Sequence, residues 1–347
     1  MPHIPRGSWA APHGVARDIE CRSDSEPQLA LACCALVSAS KTAASLACCA
    51  QLPAEESLAA AAGIDLAALR SLAVLRYDTA ALRFREAVME GLGLTPQSGG
   101  GGGDAEDALA QLRGAVREEV VAATTPSSAK PRSLRGSGSR GPSTPWIRRW
   151  KARGPIQVAK FDAAYRGLVR SVIAPHVNDP RGVLYQREPT FRCHVHGGGE
   201  PTGRAHCDAE YYHQRAELNF WVPVTRVGGT NSLYSESAPG RGDYAPFELD
   251  YGEVQSFWGN QCRHYTVPNE SGTCRVSFDF RVVPRSCFLT QYPGGTRSDG
   301  TLKFEIGGFY GWMQNDGTDH PAGFPRKSAL RRPRALPGPG GETSGGA

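Results

Sequence analysis

"CRVSFDFRV", residues 274–282, alternates without interruption between apolar and polar side chains. Val276, Phe278, Phe280 and Val282 fall on one side of an extended chain, and Arg275, Ser277, Asp279 and Arg281 on the other. A period of two is that of a β-strand. One face is therefore built for a hydrophobic core, while the other sets an arginine and a serine side by side. A guanidinium fork grips a carboxylate through two parallel hydrogen bonds, and a serine hydroxyl adds a third. Arg275 and Ser277 are thus candidates for holding an acidic small molecule.

Working outward, further short segments rich in β-branched and aromatic residues precede this one: "GVLYQREPTFRCHV" (182–195), "ELNFWVPV" (217–224), "EVQSFW" (253–258) and "HYTV" (264–267). Glycine, proline and asparagine separate them, the punctuation of an all-β sandwich or barrel. "KFDAAYRGLVRSVIAPHV" (160–177) reads as one helix, expected to stop at Pro175. Upstream, residues 28–92 are rich in alanine and leucine. "LAALRSLAVLRYDTAALRFREAVMEGL" (66–92) has the spacing of amphipathic helices, with Leu66, Leu69, Val74, Tyr77, Leu82, Phe84 and Val88 as apolar positions. "SGGGGGD" (98–104) is a flexible break, and 104–123 reads as one more helix before a Pro/Ser/Arg/Gly linker. The expected organisation is an Ala-rich helical region over 1–97, a linker over 98–145, a β-rich domain over 146–325 and a basic tail over 326–347. A segment beginning near residue 140 is accordingly expected to keep the β-rich domain's binding functions.

The net charge of +5 over 347 residues is unevenly placed. Residues 130–153 carry eight basic side chains and no acid, and the tail from 326 carries five basic residues and one acid, which leaves −7 for the remainder. These basic stretches read as solvated connectors. Trp146 and Trp150 are their only aromatics, so a nucleic-acid partner is not expected. Ten cysteines form no CxxC pair, as a reduced, cytoplasmic chain would show. The first 20 residues carry charges of both signs and no apolar run, against a secretory signal, and Asp18 and Glu20 weigh against organellar targeting. No uninterrupted run of 18 apolar residues suggests a membrane span.

Four of the nine histidines lie within residues 194–213, "HVHGGGEPTGRAHCDAEYYH". Two ligand sets compete there. His194 and His196 with Glu200 have cupin-like spacing, although three glycines before Glu200 suggest a loop. His206 and Asp208, two apart, project to one side of an extended chain with Cys207 facing away. A third ligand from a distant strand, His264, would complete two imidazoles and one carboxylate, the facial set that non-haem iron uses while keeping three positions open. Arg275, eleven residues after His264, and Ser277 favour the second set, because a dicarboxylic keto acid chelating iron at one end needs an anchor at the other. On that reading His194, His196 and His213 are polar residues at the mouth of a barrel.

The set His206-Cys-Asp208, His264 and Arg275-Val-Ser277 resembles the H-x-D … H … R-x-S motif of the Fe(II)/2-oxoglutarate-dependent dioxygenase superfamily. "ELNFWVPVTRVGGTNSLYSES", "GDYAPFELDYGEVQSFWGNQCRHYTVPNESGTCRVSFDFRVVP" and "FEIGGFYG" look like its streptomycin-biosynthesis-type subgroup. The likeness spans about residues 146–315. It implies an α+β chain with a double-stranded β-helix (a jelly-roll, cupin-like barrel) and flanking helices, and a metal centre of His206, Asp208 and His264. It further implies 2-oxoglutarate held by Arg275 and Ser277, O2 as co-substrate, and oxidation of a small molecule with release of succinate and CO2. The carboxylate of Asp208 points to hydroxylation or a related oxidation rather than halogenation, since relatives with a small residue there bind halide. Asn219 is expected either to touch the keto acid or the substrate, or to be a buried structural amide. Arg192 reaches towards the same mouth, as do Arg204, Tyr211 and Tyr212. Trp221 and Trp258 are expected in the core, and Arg281 in a surface or structural ion pair. The rival class is a non-catalytic barrel serving as a binding or scaffold module.

Overall fold

The structure is a computed structural model that describes residues 54–94, 109–110, 112, 144–197, 202–292, 294–298 and 300–324. The expected helix over 104–123 lies outside these residues except at Leu109, Ala110 and Leu112, as do residues 1–53, Glu200 and the tail from 325.

The alternation of residues 274–282 becomes the longest strand, β9 (Arg275–Pro284). It sits near the middle of a seven-stranded antiparallel sheet. The others in it are β1 (Ala73–Arg76), β2 (Val183–Gln186), β3 (Thr190–His194), β4 (Leu218–Pro223), β7 (Glu253–Phe257) and β10 (Tyr310–Met313). The path runs β1-β7-β4-β9-β2-β10, with β3 also paired to β9. A second antiparallel sheet joins β5 (Tyr234–Ser235), β6 (Ala245–Pro246) and β8 (His264–Tyr265). Antiparallel sheets with packed helices make the class α+β.

The apolar face of β9 is closed by helices. Phe278 and Phe280 meet Tyr165 edge-on, and Phe278 also meets Phe161. Both partners lie on α5 (Pro155–Leu168), where burial at Phe161, Tyr165 and Leu168 follows the helical stripe. The helix is not stopped by Pro175. Its i→i+4 pattern widens to a π-turn over Val169–Ile173, and α6 (Ala174–Val177) then begins with Pro175 in its first turn, ending at left-handed Asn178. The wider turn absorbs the donor that proline lacks.

Upstream, the helical periodicity is interrupted. After α1 (Ala54–Ala61) and α2 (Leu66–Arg70), residues 73–76 form β1 rather than helix, pairing with the open edge of β7. Tyr77 donates its N–H to the Gly252 carbonyl and Asp78 caps the turn that follows. Then α3 (Phe84–Gly91) drives Phe84, fully buried, onto Phe278 at a ring separation of 5.0 Å. From α4 (Thr144–Ala152), Trp150 stacks on Phe191 of β3. One hydrophobic core thus includes residues from 59 to 313. The N-terminal helical segment supplies a strand and a wall of the β-rich unit.

Candidate metal centre

The opposite face of β9 is the floor of a pocket. Cross-strand pairing sets Arg192 opposite Ser277 and His194 opposite Arg275 on one flank, and Asn219 opposite Arg281 and Trp221 opposite Asp279 on the other. The roof comes from the small sheet and its loops, with His264, Tyr265, Thr202 and His206. The pocket holds about 480 Å³ of atom-free space, part of it open to solvent.

His206, Asp208 and His264 converge here, their ligand atoms all within 4.8 Å of one another. His206 and His264 exchange backbone hydrogen bonds of 3.1 and 3.0 Å, which places the two rings side by side at a centroid separation of 4.4 Å. Asp208 is not on a strand. Cys207 is extended and turns its thiol to the Gln261 carbonyl, while Asp208 opens a short 3-10 turn (Asp208–Tyr211). Its N–H is held by the Gly259 carbonyl, and buried Asn260 ties the following loop down by donating to the carbonyls of His213 and Gln214. The two side chains share a side because one residue between them is extended, not because a strand runs through.

Each imidazole has a set tautomer. Nδ1 of His206 lies 2.7 Å from the Arg204 carbonyl and Nδ1 of His264 lies 3.0 Å from that of Cys262. A carbonyl only accepts, so both Nδ1 atoms carry the proton and both Nε2 lone pairs face inward, the arrangement a metal requires. Those Nε2 atoms lie 3.6 and 4.0 Å from Oδ1 of Asp208. Three ligands at bond lengths of about 2.1 Å on one octahedral face would sit about 3 Å apart, so small side-chain shifts suffice. The donor set fits a divalent cation with open coordination positions.

The other carboxylate oxygen, Oδ2, is occupied. It accepts Asn219 Nδ2 at 2.6 Å and Arg281 Nε at 3.0 Å. Arg281 makes the structural ion pair that the sequence allowed, largely shielded from solvent rather than at the surface. It is buried in a chain of alternating charge, with Nη1 on Asp279 at 2.8 Å, and Asp279 also accepts Arg192 Nε at 2.9 Å. Burial tends to raise the Asp208 pKa, but Arg281 and the two histidines together hold it well below the ordinary carboxylate value. His206 is shifted up, mainly through its contact with Asp208, whereas burial brings His264 down to about 4. Asn219, expected either at the keto acid or as a buried structural amide, commits its amide N–H to Asp208; its Oδ1 is buried without a partner.

Arg275 lies at the far end of the floor, 2% exposed and 5.5 Å from the Trp221 ring centroid. Nη1 donates to the Asn231 carbonyl and Nη2 to the Thr202 hydroxyl, but among the described residues no carboxylate pairs with it. Among the described residues, its Nε and the Ser277 hydroxyl are buried with no hydrogen-bond partner. Burial and then the charge of Arg192 bring the Arg275 pKa to about 9, so it remains a cation at neutral pH. An unpaired buried cation beside orphaned donors is costly on its own and fits an anionic ligand.

None of the three histidines expected at the mouth lines this pocket. His194 is buried beneath it, His196 accepts the Gly272 N–H, and His213 bonds Glu217 and stacks on Phe304. Among the described residues, His206, Asp208 and His264 are the group able to hold a metal; Glu200 of the cupin-like set lies outside those residues. Trp221 is buried as expected but forms part of the pocket wall, and Trp258 is sandwiched by Arg70 and Arg215. Tyr211, 42% exposed, meets the His206 ring edge-on. No helix among the described residues is long and apolar enough to cross a membrane.

The sequence matches no family profile. It is 37% identical over 146 residues to the streptomycin biosynthesis protein StrG of Streptomyces griseus, covering 42% of this chain and 66% of that protein, just under two thirds of its length. Among solved structures, the non-haem monooxygenase ThoJ in its nickel complex aligns at 17% identity and a TM-score of 0.32, covering 63% of this chain and 77% of that one. The non-haem alpha-ketoglutarate-dependent carbocyclase SnoK from nogalamycin biosynthesis aligns at 13% identity and 0.31, covering 67% and 95%. Superpositions this loose establish no shared activity.

Proposed function

We propose that this chain is a non-haem Fe(II)/2-oxoglutarate-dependent oxygenase that hydroxylates a small metabolite and releases succinate and CO2. The carrying observation is the pairing of two features in one pocket: a His206–Asp208–His264 cluster with both imidazole lone pairs turned inward, and an unpaired buried Arg275 at the far end. The two antiparallel sheets that enclose it read as the halves of a double-stranded β-helix. The chain's likeness to a streptomycin biosynthesis protein is in keeping with a role in small-molecule biosynthesis.

In this reading His206, Asp208 and His264 hold ferrous iron. Iron held there would, together with 2-oxoglutarate and O2, supply the oxidising chemistry for placing one oxygen atom in a substrate C–H bond and the other in succinate. The protein's own residues prepare that step. Arg281 and Asn219 occupy Oδ2 of Asp208 and Arg281 Nη2 also reaches Oδ1 at 3.3 Å, which fixes the carboxylate with Oδ1 on the side of the two imidazoles. Arg275 and Ser277 hold the far carboxylate of the keto acid, which fixes its orientation and its length. Trp221, Phe257 and Leu233 form an apolar wall that limits water around the reacting atoms.

The test is anaerobic titration of the full chain with Fe(II) and then 2-oxoglutarate. A weak visible charge-transfer band, absent in His206→Ala, is expected. A spectrum unchanged by both additions would favour a binding or scaffold module over an oxygenase.

A further inference from the structure

Arg192 stands at the centre of the pocket floor without an assigned task. It projects from β3 opposite Ser277, yet its guanidinium is drawn one pleat along β9 to Asp279, which takes Nε at 2.9 Å. Asp279 also holds Nη1 of Arg281, whose other nitrogens clamp the Asp208 carboxylate. Asp279 therefore orients Arg192 towards the metal end of the pocket, away from Arg275. The Arg192 side chain is 35% exposed, and among the described residues hydrogen bonds reach only its Nε. Its two Nη groups are left for whatever enters the pocket it lines.

Its charge reaches Arg275. It is the second influence, after burial, that lowers the Arg275 pKa. Two guanidiniums that repel one another across a shared cavity, with a cation site beside them, form a field that a dianion relieves. Arg192, Arg275, His206 and His264 line one pocket, so a keto acid held between the imidazoles and Arg275 would share that space with Arg192.

We propose that Arg192 is a second cationic anchor for the co-substrate, gripping the carboxylate of its keto-acid end while Arg275 grips the distal one. This inference rests on the oxygenase reading. It makes a specific demand: the two arginines should sort keto acids differently, because pyruvate has the keto-acid end but no distal carboxylate.

The experiment measures affinities of 2-oxoglutarate and of pyruvate for the Fe(II)-loaded full chain under anaerobic conditions, by the visible chelate band. The proteins compared are wild type, Arg192→Gln, Arg192→Lys and Arg275→Leu. Loss of a charge-assisted grip corresponds to roughly a tenfold to hundredfold weakening. Arg192→Gln should weaken both keto acids by the same factor, with Arg192→Lys recovering part of it. Arg275→Leu should weaken 2-oxoglutarate and leave pyruvate unchanged. Fe(II) affinity, read by competition with a chromophoric chelator, should stay within about threefold of wild type in Arg192→Gln. If Arg192→Gln weakens 2-oxoglutarate alone, Arg192 serves the distal carboxylate and the proposal is wrong. Unchanged affinities, or a loss of iron binding equal to the loss of keto acid, overturn it as well. If the wild type shows no band with either keto acid, it is the oxygenase reading that fails.

Discussion

Replacing Arg281 with methionine tests the buried charge chain that supports the metal ligand. Arg281 makes three charge-assisted hydrogen bonds, at 3.0 and 3.3 Å to Asp208 and 2.8 Å to Asp279, with its side chain only 11% exposed. Such bonds contribute about 1.5–3 kcal/mol each, so the gross loss is about 5–9 kcal/mol. Desolvation of the guanidinium, which methionine does not incur, offsets part of that. Removing one partner from a buried ion pair costs about 3–5 kcal/mol net. For a unit of this size each kcal/mol lowers the melting temperature by about 2–4 °C, giving a drop of roughly 6–20 °C in the metal-free protein. Arg76→Met is the control, because the Arg76–Glu253 pair is made by an arginine side chain 82% exposed and contributes about 1 kcal/mol or less. Ni(II), a redox-quiet substitute for iron, should recover more stability in Arg281→Met than in wild type, since a divalent cation neutralises the carboxylate that Arg281 abandoned. Calorimetry with and without Ni(II) reads both effects. If Arg281→Met melts within 2 °C of the Arg76→Met control, the buried network does not hold Asp208 in place.

His264→Ala should reduce Ni(II) affinity by at least a hundredfold in equilibrium dialysis; retention of wild-type affinity would remove His264 from the ligand set. Gly259→Ala places a methyl group 2.7 Å from both the Asn219 amide carbon and the Phe257 ring, so the groups around Asp208 must shift and metal affinity should fall several-fold, with unchanged affinity speaking against a role for that packing. Burial holds the pKa of His194 at about 3 and that of His264 at about 4, so the unfolded chain binds these protons first as pH falls below about 6.5. Metal-free stability should then decline by about 2 kcal/mol per histidine between pH 7 and pH 5, opposed in part by His206, whose pKa is raised; a flat melting temperature over that range would contradict the burial of these rings. Deleting residues 1–95 strips β1 from the β7 edge and Phe84 from Phe278, so the remainder should be insoluble or molten; a cooperative unfolding transition in that fragment would show that the core does not need them.

The site was legible where local chemistry is strict and illegible where it depends on tertiary neighbours. The alternation of residues 274–282 announced both faces of β9, because a period of two leaves a side chain no other place to go. Arg275 stood out because arginine and serine side by side on a strand are rarely needed for packing. Arg281 lay on that same face and was underrated: nothing local says that Asp208, 73 residues away, turns one oxygen towards it. Asn260 and Gly259 carry no motif at all, yet one ties down the Asp208 loop and the other leaves room for the Asn219 amide. The helical reading of residues 73–76 failed for the converse reason. Alanine, valine and leucine at that spacing satisfy a helix locally, but the open backbone edge of β7 offers a full ladder of hydrogen bonds, and four residues of strand are enough to take it.

The same asymmetry shows how the candidate metal centre is held. Two ligands present inward lone pairs because carbonyls of their own loops hold the opposite ring nitrogens, a device written within two residues of each histidine. The third ligand is held by groups from two strands of the large sheet, Asn219 and Arg281. The small sheet and its loops thus supply the imidazoles, while the large sheet fixes the carboxylate and offers the guanidiniums. A metal bridging the two would stitch sheet to sheet, so its binding should stiffen β8 as well as complete the site. Amide hydrogen exchange at His264 and Tyr265, with and without Ni(II), reads that coupling directly. Protection confined to the Asp208 loop would mean that the two halves of the site are not mechanically joined.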